Sequence, residues 1–244
     1  MSILVQREFE VAPGTRPEFE RQSREGLWPA LLHFGVPMVG YGTWAFGGPS
    51  HVVVAHTSYV DLTHWAATQQ GTGTYYLDPA MRAEIATFLP VYGGRGELVL
   101  GSAARLFEVD DSISRPRPFA RRPGEPLAET PPTFGRGSVI SERTIAVLPA
   151  DRAEFRRLSS EVIWPWFEAH GGRAIALGHD LMGPSDELTT WFAFRSPAEW
   201  HFLQHPSVVG APAEVVAAFT KRANLVRQRG GRLLTVGTDF GRLV

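Results

Sequence analysis

Cysteine is absent from the 244 residues, which excludes disulfides, thiolate metal sites and a cysteine nucleophile, so any metal would have to be held by histidine and carboxylate. Lysine is nearly absent as well. Lys221 is the only one, which leaves a Schiff-base mechanism a single poor candidate. No apolar run reaches the roughly 18 residues that a spanning helix needs, and the opening MSILVQREFE lacks the basic and apolar regions of a secretory signal. A cytoplasmic protein without a membrane partner is expected. The formal net charge of -1 provides no bulk attraction to nucleic acid. Also missing are G-x-S-x-G, H-E-x-x-H, a Walker loop and a G-x-G-x-x-G that opens a helix after a strand. A hydrophobic content of 43% and a charged content of 20% are those of an ordinary globular protein, and the partner expected is an apolar small molecule.

What is present is a repeat. A shift of 136 positions aligns REFEVAPGTRPEFERQSREGLWP from Arg7 with RTIAVLPADRAEFRRLSSEVIWP from Arg143 without a gap. Matched pairs include Phe19/Phe155, Ser23/Ser159, Trp28/Trp164 and Pro29/Pro165, and in the same register Gly42/Gly178 and Gly47/Gly183. Two copies are too few for a solenoid, so each is expected to be one unit that closes against the other. The first segment of each copy alternates as a strand does, with Phe9 and Val11, or Ile145 and Val147, on one side. A helix follows, carrying Phe19, Leu27 and Leu31, or Phe155, Ile163 and Phe167, with Pro29 and Pro165 as candidate kinks.

Next come a strand (38–46, 174–182), a glycine turn, a strand (51–59, 188–195), helix, and a last strand (97–106, 232–236). The order is β-α-β-β-α-β. It predicts an α+β chain: two ferredoxin-like repeats, each an antiparallel four-stranded sheet with helices on one face. Packed sheet to sheet they form an intramolecular dimeric α+β barrel. The expected boundaries are 1–109 and 138–244 for the repeats and 110–137, rich in proline and arginine, for a solvated linker.

A strand bearing an arginine, a Pro-Gly-type turn, a helix carrying EF and ending near WP, then a strand, a glycine turn and an apolar strand resemble the NIPSNAP family over residues 3–106 and 138–237. The resemblance places the chain in the dimeric α+β barrel superfamily and implies a cavity between sheet and helices. The family's strand-three aromatic is matched by Trp191, with Ala55 at the corresponding place in the first copy. The superfamily includes cofactor-free monooxygenases and cyclases of aromatic polyketides, isomerases, and haem enzymes. NIPSNAP proteins themselves have no single agreed reaction.

Residues shared by the copies should serve the fold, and unshared polar ones are candidates for a site. His56, set against Phe192 in the 136 register, is the candidate general base if its side of the strand faces the helices. His179 and Asp180 replace Thr43 and Trp44, and their side chains must point to opposite faces of a strand. Arg7 and Arg143 lie among apolar neighbours, suited either to holding an oxyanion or to an ion pair with Glu25 or Glu161. Tyr41 is a second candidate for stabilising negative charge. Trp44, Tyr59, Trp65 and Trp191 are candidate walls for a flat ligand. The expected function is an enzyme of secondary metabolism that oxygenates, cyclises or rearranges an apolar, aromatic or polyketide-like substrate without a bound cofactor or metal. The alternatives are a non-catalytic binding or scaffold protein and a haem enzyme. A homodimer of pseudo-dimers is the expected assembly.

Overall fold

The computed structural model describes residues 1–114, 120–126 and 135–237. In the first half β1 (Ile3–Val11) leads through a turn into α1 (Arg16–Gln22), a π-helical segment (Ser23–Leu27) and α2 (Trp28–His33). Next come β2 (Met38–Phe46) and β3 (Val52–Tyr59), the short helices α3 (Leu62–Ala67), α4 (Thr74–Leu77), α5 (Pro79–Ile85) and α6 (Leu89–Tyr92), a 3-10 turn (Arg95–Leu98) and β4 (Val99–Val109). The second half repeats the plan with β5 (Val139–Val147), a 3-10 turn (Pro149–Asp151), α7 (Arg152–Leu158), a π segment (Ser159–Ile163), α8 (Trp164–Ala169), β6 (Arg173–Asp180) and β7 (Glu187–Phe194). It ends with α9 (Pro197–Leu203), α10 (Ala213–Asn224) and β8 (Val226–Val236). The last strands differ from the pattern for two reasons: β4 runs on to Val109 because Phe107–Val109 pair with β6 of the other half, and β8 begins earlier, at Val226, because its first residues pair with β5 of its own half.

All the strand pairings are antiparallel and close into one eight-stranded barrel in the order β1-β3-β2-β8-β5-β7-β6-β4. Each half therefore has its own first strand flanked by its third and fourth. The halves meet at two seams, β2 with β8 and β4 with β6. Gly42 and Gly178 sit at these seams. A Cβ on Gly42 would lie 1.9 Å from the Thr235 carbonyl oxygen and one on Gly178 2.8 Å from that of Glu108, so the repeat's shared glycine is where strands of different halves approach closely.

The alternation of β1 sends Leu4 into the barrel, and Ile3 and Val5 outward against helices. Leu4, Val54, Phe107, Ile140, Trp191 and Leu234 belong to the barrel's interior core. Phe155, Trp164, Phe167 and Phe192 pack between the second sheet and its helices. Phe19, Trp28 and Tyr41 do the same in the first half.

Local signals fix the helix ends. The Asp61 carboxylate accepts from the His64 backbone N–H at 2.8 Å, Ser196 caps α9 in the same way, and Gly35 at φ +73° follows α2 as a helix terminator does. The described parts of 110–137 are tied to both halves rather than solvated throughout. Ser114 is buried and accepts from the Leu177 N–H at 3.0 Å, while Arg122 pairs with Asp61. The remainder of that stretch, 115–119 and 127–134, and the end of the second copy from 238 on lie outside the described residues.

Candidate functional site

Gln6 and Arg7 are neighbours on β1, and the step from one to the other divides the polar chemistry of the molecule in two. On the barrel side Gln6 Nε2 donates to Glu142 Oε2 at 2.6 Å. These two residues are repeat equivalents, 136 apart, so they meet where a two-fold axis relating the halves would pass. Trp191 Nε1 also donates to Glu142 Oε2, at 3.1 Å. Arg232 Nη2 reaches Glu142 Oε1 at 2.6 Å and Gln6 Oε1 at 3.1 Å, its Nη1 reaches Glu8 at 2.5 Å, and its guanidinium lies 4.1 Å over the Trp44 ring. Arg105 pairs with Asp180 at 2.8 Å.

His56 belongs to this enclosed cluster. It is cross-strand partner to Gln6 and 2% exposed, and its Nε2 lies 3.9 Å from Glu142. The condition on which it is a candidate base, that its side of the strand face the helices, is therefore not met. The β2–β3 hairpin is one residue longer than its counterpart: Gly48-Pro49-Ser50 corresponds to Gly183-Pro184-Ser185, a shift of 135. His56 therefore corresponds to Trp191, since Gln6 pairs with His56 and Glu142 with Trp191, and a one-residue slip turns every side chain to the other face. For the same reason Trp191 is not opposite Ala55. Trp44 and Trp191 are both buried in the barrel core and line neither of the two cavities on the helix side. Gly40 makes room for this arrangement, because a Cβ there would meet Ile140 at 2.8 Å and the His56 ring at 3.1 Å.

On the helix side each half has a cavity. The first, of about 330 Å³, is lined by Arg7, Trp28, Tyr41, Tyr59, Gln69 and Arg95 among others. The second, of about 370 Å³, is lined by Arg143, Trp164, Phe192, Phe194, Gln204 and Arg222 among others. The polar skeleton is duplicated. Arg7 Nη2 lies 3.5 Å from Gln69 Oε1, and Arg143 Nη2 donates to Gln204 Oε1 at 2.5 Å. Arg95 donates to Ser23 Oγ at 3.0 Å and Arg222 to Ser159 Oγ at 3.3 Å. Both serines open the π-helical segments, the kind of local widening often found at functional sites, and each hydroxyl donates to the carbonyl four residues earlier, at 2.7 Å.

None of these four arginines pairs with a carboxylate among the described residues. Glu25 is taken by Arg21 and Arg24, and Glu161 by Arg157, so the ion pairs that the sequence left open for Arg7 and Arg143 do not form. Removal from water without a counter-ion lowers the guanidinium pKa of Arg95 and of Arg222 to about 10, and lowers that of Arg143. A desolvated, uncompensated cation is costly, and each cavity holds two. The first cavity also has phenols. Burial pushes Tyr41 well above the ordinary tyrosine value, with Glu20 adding to the rise, and burial likewise raises Tyr59, so both remain protonated donors.

Of the sequence candidates the structure brings together Arg7, Tyr41 and Tyr59 in the first cavity and puts Arg143 in the second. Trp65 packs against the first-half core outside the cavity lining. His179 is half-exposed beside Glu108, 3.7 Å away, while Asp180 turns to Arg105; the two do not form an acid–base pair. Among the described residues no cluster of histidine and carboxylate could hold a metal ion, and no helix is long and apolar enough to cross a membrane. Arg95, Arg222, Gln69 and Gln204 escaped sequence reasoning. Two signals were available: the shared Ser23/Ser159, which holds both of the missed arginines, and the pair Gln69/Gln204, matched at the shift of 135.

No protein-family model and no curated protein sequence matches the chain. Solved structures do. A candidate monooxygenase from Lactobacillus acidophilus is 9% identical, with 97% of each chain covered and a TM-score of 0.56. An anthrone oxidase-like protein is 12% identical over 100% of this chain and 95% of its own, with a TM-score of 0.50. NIPSNAP family structures are among the matches: one from Agrobacterium tumefaciens is 20% identical over 48% of this chain and 100% of its own, with a TM-score of 0.37. At these identities the likeness shows a shared fold, an α+β chain closed into an antiparallel barrel.

Proposed function

We propose that the first-half cavity is the active site of an enzyme that acts, without a bound cofactor, on a small aromatic substrate carrying an enolisable or phenolic oxygen. We further propose that each half is one ferredoxin-like unit of a tandem pair. The observation that carries the functional reading is the pairing of Arg7 and Arg95, neither matched by a carboxylate, with the neutral phenol of Tyr41 in one enclosed cavity. Two guanidiniums and a phenol lining one cavity would stabilise an enolate or phenolate more than its neutral parent, which is the differential binding that catalysis requires.

Among the described residues neither cavity is lined by an imidazole or a carboxylate. The proton therefore leaves to solvent, and the protein contributes charge stabilisation instead of a base. With an anthrone-like substrate the resulting enolate is oxidised directly by dioxygen. The ring methylene loses two hydrogens and gains one oxygen, giving a quinone and one water. A likeness to structures described as a candidate monooxygenase and an anthrone oxidase-like protein is compatible with this chemistry. Haem, the alternative raised by resemblance, finds no imidazole in either of these two cavities and His56 enclosed in the barrel; a Soret band in the purified protein would favour it over the cofactor-free reading.

The test is oxygen uptake and quinone formation with anthrone and simpler phenols. Turnover that falls about 100-fold in Arg95→Met, a loss of the size caused by removing an oxyanion donor, with no inflection near pH 6.5, is expected. Binding of such compounds with no turnover at any pH would instead make the chain a binding protein.

A further inference from the structure

The second cavity repeats the arginines of the first but not its hydroxyls. Where the first half has Tyr41, Thr57 and Tyr59, the second has Leu177, Phe192 and Phe194 at the equivalent strand positions. Its walls include the rings of Phe155, Trp164, Phe167, Phe192, Phe194 and Phe219, with Phe167 and Phe192 centroids 4.9 Å apart. Arg143 enters from β5 and Arg222 from α10. Gln204 fixes Arg143 while its own amide donates to the Trp200 carbonyl at 3.2 Å. Arg222 is steadied by Ser159 and lies 5.5 Å from the Phe219 ring.

A guanidinium has five N–H donors, and each of these two makes one hydrogen bond among the described residues. The unused donors border a space of about 370 Å³ that lacks any carboxylate to receive them. A planar carboxylate matches the arginine fork, and an aromatic body matches the ring-lined walls.

We propose that this cavity is a separate binding site for a planar aromatic monocarboxylate, which it holds without transforming, since neither a phenol nor a general base is at hand. The site stands on the second half's residues alone and does not require the first cavity to be catalytic.

The experiment is calorimetry with 2-naphthoate, 2-naphthamide and inorganic phosphate. It uses the wild-type chain and an Arg7→Met/Arg95→Met variant in which the first cavity's cations are gone. That variant is expected to retain one equivalent of naphthoate, with quenching of tryptophan fluorescence through Trp164. Naphthamide should bind at least tenfold more weakly and phosphate should give no heat. Adding Arg222→Met should weaken naphthoate at least 30-fold. No naphthoate bound by the first-cavity variant, equal affinity for acid and amide, tight binding of phosphate alone, or an unchanged affinity in Arg222→Met would each overturn the site. If the combined variant does not fold, the acid-to-amide ratio in the wild type and the single variant Gln204→Leu, expected to lose about tenfold, decide the matter. Absence of turnover in the wild type with naphthoate still bound in the second half would count against the proposed enzyme and leave this site standing.

Discussion

The two cavities share three polar lining positions, two arginines and a glutamine, with a buried serine behind one arginine of each, inside walls of different character. In the first half the arginines face Tyr41 and Tyr59; in the second the corresponding places are Leu177 and Phe194. On the proposed reading the shared skeleton makes both halves receptive to an oxyanion. The difference in the walls decides whether a bound molecule reacts, because a hydrogen-bond donor that strengthens as charge develops acts on the transition state, whereas a phenyl ring only adds area to be buried.

The comparison can be broken most forcefully at the point where the halves touch. Glu142 is 2% exposed and holds Gln6, Trp191 and Arg232 together. Glu142→Ala should cost about 3 kcal/mol, the scale for removing one partner of a buried ion pair, read as a fall in urea midpoint. Acid should do part of the same work. Burial favours its protonation, but His56 and Arg232 outweigh that and hold the carboxyl down to about 2, below the reference 4.5. A carboxylate whose folded pKa is depressed adds stability that is present above about pH 4.5 and lost as pH falls toward about 2. Wild type should therefore weaken across that window, and Glu142→Gln should show a shallower decline.

Next in size is the contrast between matched arginines. Arg95→Met should lower kcat/KM about 100-fold, whereas Arg222→Met should be read in the loss of bound naphthoate. A smaller effect separates the walls: Tyr41→Phe should lower kcat about tenfold, near the value of one hydrogen bond to a developing charge. Tyr59→Phe, which installs the second half's own residue, should lower it less. Smallest is Gln6→Leu, expected to cost about 1 kcal/mol, because Glu142 keeps Arg232 and Trp191.

Much of the fold was legible because the β1-to-helix segment aligns without a gap and carries both the alternation and the turn. Both seams were marked by Gly42/Gly178, although their reason, a carbonyl of the opposite half within contact of the missing Cβ, lies in another part of the chain. The site was less legible. The extra residue in the first hairpin is hidden among small turn residues, yet it shifts β3 by one and carries His56 from the expected cavity into the barrel. Arg95 and Arg222 were invisible to the repeat, because one sits on a 3-10 turn after four short helices and the other near the end of a single long helix. Arg7 was found because its phase among apolar neighbours repeats at Arg143, whereas Tyr41 and Tyr59 came only from the aromatics of the first copy and owe their common cavity to the way β2 and β3 pair.

Gln6 and Glu142 have a consequence for how such a chain can change. In an assembly of two identical subunits every substitution is made twice, and a glutamate at this place would confront its own copy across the symmetry axis, two like charges with no water between them. Joining the subunits into one polypeptide lets a single mutation fall on one side only, so that an amide can receive what a second carboxylate would repel. A fused chain can thus make the contact without the shared proton that two facing carboxylates would need.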